Sequence, residues 1–232
     1  MTTIVAPPFA EPQSLAALQR AINFPESRGD QHLTLWDVDW DAYKQIAEGL
    51  TGRHVRLTYE NGRLDLMTIS SKHGILCRLF TALIRVLAEE LDVPILACGD
   101  MTCENEPALK ALEPDECFYI QNELLVRGKD DLDLTVDPPP DLAVEIELSR
   151  ARPNRMSIYA RLRVPEVWRY KGKTLTCSLL TETGHYTESD FSRAFPQLPL
   201  SELLRFVERR TQTDENSLVR SFREWVRTLQ HM

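Results

Sequence analysis

The 232-residue sequence has no C-x-x-C pair, no H-x-x-x-H or H-x-H spacing, and no apolar run of bilayer-spanning length. The five cysteines (Cys77, Cys98, Cys103, Cys117, Cys177) are odd in number, so buried reduced thiols are expected rather than a zinc site or disulfide framework. The five scattered histidines argue against a histidine-rich metal site, and a transmembrane reading fails. MTTIVAPPFAEP carries no basic n-region and no long apolar stretch, so a cytoplasmic chain is expected. There is no G-x-S-x-G elbow and no serine–histidine spacing of a hydrolase triad. Lys171-Gly172-Lys173-Thr174 has the look of a phosphate loop, but Val167 stands where the earlier glycine is required. Excess positive charge is missing too: 27 Lys and Arg face 35 Asp and Glu, a formal net charge of −8. A chain acting on polyanionic DNA then needs local positive charge or a bound cation.

What is present is ordinary for a globular protein, with 43% apolar and 27% charged residues and length for one or two domains. Residues 1–35 read as an arm broken by Pro7, Pro8, Pro12 and Pro25, with at most a short helix around Leu15–Ile22. Residues 36–210 read as the main domain, and 211–232 as a C-terminal helix packed on it. Asp39 or Asp41 suits the cap of a helix through Tyr43, Ile46 and Leu50. Val55–Tyr59 and Leu64–Met67 flank Glu60-Asn61-Gly62, a tight hairpin signal. From His73 to Leu91, apolar residues recur every three or four positions, which predicts a long amphipathic helix. Strands follow at Val93–Cys98 and Cys117–Ile120, then an acidic, proline-rich connection over 129–141. Pro153 suits a helix start, with helix to about Arg163. A hairpin is expected from Pro165–Tyr170 and Thr174–Leu180, a further strand near Tyr186, and helices over Phe195–Val207 and Leu218–Leu229. Strands separated by helices, then extra strands, indicate a mixed α/β domain of α+β type.

The most informative strand is Leu142–Leu148. Leu142, Val144, Ile146 and Leu148 share one face, whereas Ala143, Glu145 and Glu147 share the other. An isolated E-x-E is ordinarily solvent-facing. In a strand this apolar, covered on both faces, a carboxylate is costly unless paired or coordinated. Pro114-Asp115 enters an earlier strand 30 residues before Glu145. Carboxylates from adjacent strands can converge on a hard cation such as Mg²⁺, or Mn²⁺, which polarises a phosphoryl oxygen and activates water. Glu147 is expected to extend this metal-binding pair. The charge objection also has a local answer: six arginines lie between Arg150 and Arg169, with Glu166 as the only acid there. Arginine forks suit phosphate oxygens, and Arg155 is placed to reach back to the strand end.

At these residues the sequence resembles the Uma-two family of bacterial proteins, a restriction-endonuclease-type group with the PD-(D/E)xK nuclease fold. The resemblance runs from about Trp40 to Phe195 and into the C-terminal helices. It rests on RLTYENGRLDLM at 56–67, EPDECFYI at 113–120, PPPDLAVEIELS at 138–149, IYARLRVPEVWRY at 158–170 and FPQLPLSEL at 195–203, in that order. It implies a restriction-endonuclease-like mixed sheet flanked by helices, and Mg²⁺-dependent hydrolysis of DNA phosphodiester bonds. Asp115 and Glu145 match the motif's metal-binding acids. Glu147 stands at the usual lysine position, and the basic residue is expected from the next helix as Arg155. Glu60 and His73 fall on family positions that look catalytic. Arginine cannot readily give up a proton, so Arg155 suits charge stabilisation rather than general base work.

Paired carboxylates also suit a glycosidase, but Trp36, Trp40, Trp168 and Trp225 read as core anchors rather than a sugar platform. A nuclease-fold module that binds nucleic acid or protein without catalysis is the competing reading. A homodimer is expected if both DNA strands are cut.

Overall fold

A computed structural model describes residues 30–148 and 155–229 of the chain. Its organising strand is β8 (Leu142–Ile146), all five residues of which are buried. Leu142, Val144 and Ile146 enter the main core on one face, and Ala143 a smaller core on the other. This two-faced burial is why the strand reads as apolar in sequence.

Around it runs a mixed six-stranded sheet. It takes in β4 (Leu96–Gly99), β7 (Glu116–Tyr119), β9 (Glu166–Lys171), β10 (Thr174–Leu180) and β11 (Tyr186–Ser189), in the order β11-β10-β9-β8-β7-β4. Only the β8–β9 pair is parallel. A parallel pair needs a crossover, and this one contains α4 (Met156–Arg161), which buries Ile158 and Tyr159 in the smaller core. The opposite face is covered by α2 (Ser71–Glu90), α5 (Leu200–Glu208) and α6 (Glu215–Leu229). Leu76, Phe80, Leu83 and Leu87 of α2 meet Leu203, Phe206 and Phe222 there. Each such side chain stabilises the fold by about 1.5–3 kcal/mol.

The second sheet is antiparallel and five-stranded. It comprises β1 (Gln31–Leu35), β2 (Val55–Glu60), β3 (Arg63–Thr68), β5 (Cys103–Asn105) and β6 (Lys110–Leu112), in the order β1-β3-β2-β6-β5. α1 (Trp40–Leu50) packs Tyr43, Ile46 and Leu50 onto it. The Asp39 carboxylate caps α1, accepting from Ala42 N at 2.7 Å. The β2–β3 hairpin turns through Asn61 and Gly62, both at positive φ, as its Asn-Gly pair demands.

The mixed α+β architecture is the one expected, with several boundaries corrected. Gln31–Leu35, placed in the arm by sequence, pairs with β3; its polar alternation is too weak to announce a strand. The three-residue β5 and β6 and the short helix α3 (Glu123–Val126) carry no readable period. The helix expected from Phe195 begins only at Leu200, because Pro196 and Pro199 hold the approach out of the helical region. The helix expected around 15–22 and the helix start at Pro153 lie outside the described residues. No helix among the described residues is long and apolar enough to cross a membrane.

Candidate active site

Asp115 lies in the bend before β7, and its Oδ2 accepts a 2.7 Å hydrogen bond from Ile146 N on β8. That bond ties the Asp115 carboxylate to the peptide following Glu145. Asp115 is 1% exposed and Glu145 2%. The sequence-predicted pair is therefore brought together in the dry interior, where charge demands compensation.

Two different cations supply it. On the Asp115 side, Ser70 caps α2 by accepting from His73 N, which fixes His73 in the first turn. The His73 Nε2 then lies 3.0 Å from Asp115 Oδ1, and its Nδ1 3.1 Å from Asp30 Oδ2. Asp30 also accepts from Ser70 N at 3.0 Å. Burial works against a charged imidazole, but the hydrogen bonds it donates to Asp115 and Asp30 prevail and raise its pKa to about 11. Burial likewise works against an ionised Asp30. The bonds from His73 and Ser70 overcome it and hold that carboxyl at about 2. The result is an imidazolium clamped between two carboxylates.

On the Glu145 side, Arg155 immediately precedes α4 and Tyr159 follows four residues later on the same face. Arg155 Nη1 donates to Glu145 Oε2 at 2.8 Å, Nη2 donates to the Glu113 carbonyl, and the Tyr159 hydroxyl donates to Glu145 Oε1. Burial pushes the Tyr159 phenol well up, and the Glu145 charge reinforces it, so the hydroxyl stays a donor. Burial opposes the Arg155 charge, yet the surrounding negative groups, Glu145 foremost, together outweigh it and the guanidinium remains cationic. Nearby, burial raises Glu116 to about 7 and also raises Glu113, whose Oε2 accepts from Leu57 N.

The other expected residues go elsewhere. Glu60 pairs with Lys110 and accepts from Ser157 Oγ at 3.3 Å, away from the buried pair. Glu147 lies beyond the end of β8, 3.7 Å from both Arg169 and Lys171. Asp115, Glu145 and Glu147 thus do not converge as a triad: among the described residues no group of three or more His, Cys, Asp or Glu is arranged to hold a metal. Glu147 lies beside Arg169, the ladder partner of Glu145, so its charge is met by the cations of β9 rather than by the buried pair. Sequence reasoning missed Asp30 and Tyr159. Tyr159 was recoverable from its i+4 spacing to Arg155; Asp30, 43 residues from its partner, carried no signal.

No curated protein matches this sequence. The family model described as "Uma2: Putative restriction endonuclease" matches residues 40–228, which take in both sheets but for β1, and all six helices. The chain belongs to the Uma2 family.

Proposed function

We propose that the protein hydrolyses DNA phosphodiester bonds in a divalent-metal-dependent reaction centred on Asp115 and Glu145. The observation that carries this is two carboxylates buried side by side, at 1% and 2% exposure, in a chain of restriction-endonuclease type. Asp115 and Glu145 offer hard oxygens of the class Mg²⁺ takes, and each of the four already has a partner in His73, the Ile146 amide, Tyr159 or Arg155, which the ion would have to share or displace. Asp115 and Glu145 would hold it, and it would supply Lewis-acid polarisation of a phosphoryl oxygen and a water of lowered pKa.

The chain's own residues do the rest. His73 fixes the Asp115 carboxylate, and the Ile146 amide sets its distance from Glu145. Arg155 and Tyr159 orient Glu145. The Arg155 guanidinium, permanently charged, is suited to stabilise negative charge that builds on phosphorus. With Glu147 turned to Arg169 and Lys171, no residue at position 147 serves as a general base.

The test is nicking of supercoiled plasmid with Mg²⁺ or Mn²⁺. Glu145→Gln, which keeps the side chain's size and its acceptor for Arg155, should abolish nicking while the fold persists by circular dichroism. Nicking that survives this substitution, or survives EDTA, would sink the proposal. A second reading is favoured by the pairing of both carboxylates with buried cations of the chain itself, His73 and Arg155. In that reading the chain is a nuclease-fold module that binds nucleic acid or protein without cutting. DNA binding indifferent to metal and to Glu145→Gln would support it.

A further inference from the structure

An open cleft of 1340 Å³ lies against the outer side of α4, whose Met156, Ser157, Ala160 and Arg161 line it. Ile158 and Tyr159 turn the other way, into the core. One wall comes from the end of the five-stranded sheet, where Lys110 sits, and the other from β9, β10 and β11. The chain's formal net charge is −8, yet the cleft is lined by four cations, Lys110, Arg161, Arg163 and Arg169, against two acids, Glu182 and Glu188. Lys110 and Arg169 also lie against Glu60 and Glu147, which leaves Arg161 and Arg163 as the cations open to a ligand.

Three details say that these cations face a ligand. Arg161 and Arg163 are exposed and make no ion pair among the described residues. Arg163 has φ +64°, just past the end of α4, a position where glycine is the stable choice. An arginine in that conformation costs roughly 1 kcal/mol. Arg169 is the ladder partner of Glu145 in the parallel β8–β9 pair, so its side chain leaves the sheet on the same face. Its Nε is buried without a hydrogen bond, and its guanidinium lies 3.7 Å from Glu147. The cleft therefore begins one strand away from the buried acid pair.

From this geometry we infer that the cleft is the track for the sugar–phosphate backbone of duplex DNA, an inference that rests on the nuclease reading. Arginine forks match phosphate oxygens. Among the described residues only two aromatic side chains line the cleft, Tyr186, whose hydroxyl is tied to the Val164 carbonyl, and His185, too few for a stacking platform under successive unpaired bases. Binding along the track is indifferent to sequence, salt-dependent, and stronger for duplex than for single strands.

The experiment is fluorescence anisotropy of labelled DNA in EDTA, from about 50 to about 200 mM salt. Wild type is compared with the double variant Arg161→Ala/Arg163→Ala, and with Arg163→Gly. The double variant should bind two unrelated duplexes equally weakly, with the slope of log affinity against log salt reduced by about two. Arg163→Gly should reduce that slope by about one while raising the Tm, a pairing that damage to the fold cannot produce. Unchanged affinity and slope in both variants, with Glu145→Gln still abolishing nicking, would overturn the track and leave the nuclease reading standing. Tighter binding of single strands than of duplex would overturn the assignment too. A wild type that binds no DNA at low salt overturns both together.

Discussion

The two halves of the acid pair are built from opposite kinds of cation. Asp115 is held by an imidazolium that belongs to α2 and is itself secured by a second carboxylate, Asp30. Glu145 is held by a guanidinium and a phenol that arrive together on one turn of α4. The first cation exists only because two acids raise its pKa; the second is charged at every accessible pH. Burying an acid is therefore solved in one place by tuning and in the other by choice of residue.

The largest expected break in this comparison is Arg155→Met, which strands Glu145 with Tyr159 alone and costs about 3–5 kcal/mol. Urea unfolding should show the midpoint fall with an unchanged m-value; a loss below about 1 kcal/mol would mean that Glu145 is compensated otherwise. Next comes pH. The His73 pKa stands at about 11 against an ordinary 6.5, so the stability it contributes is complete below 6.5 and lost as pH rises through about 11. Asp30 behaves in the opposite sense: its contribution is present above 3.8 and lost as pH falls through about 2. Only the Asp115 half should thus loosen in alkali. Imidazole nitrogen shifts followed by NMR should remain those of the charged ring across neutrality, and a midpoint near 6.5 would erase the asymmetry. Tyr159→Phe removes one bond to a charged acceptor, about 1.5–3 kcal/mol, and sharpens how Glu145 divides its reliance between partners. The smallest effect is at the cleft wall. Lys110→Ala breaks the pair with Glu60, whose side chain is 34% exposed and so still reaches water, and should shift stability by less than about 1 kcal/mol, marking Glu60 as outside the buried cluster.

Sequence alone carried the acid pair because strand phase and a nearby proline are local signals: Leu142, Val144 and Ile146 alternate with Glu145 over five residues. Arg155 and His73 were legible as positions, but their partners were not. That Asp30 closes a clamp from 43 residues away depends on β1 pairing with β3, which no local pattern announces. Glu147 shows the converse limit: its place along the strand was legible, but not that Arg169 and Lys171 on the next strand would lie against it. The division into two sheets was equally invisible, since β5 and β6 have three residues each and hold register only through β2.

The packing of α6 on α2 governs when the centre can assemble. Arg223 and Arg227 bind Glu89 and Glu90 at the far end of the helix whose first turn carries His73, and Phe222 and Val226 cover its apolar face. These contacts join residues more than 130 positions apart. During synthesis, the helix that presents His73 keeps an uncovered greasy flank until residues 215–229 have left the ribosome. A half-made chain thus lacks the support that fixes Asp115, and the buried acid pair stays unfinished until residues 215–229 are free.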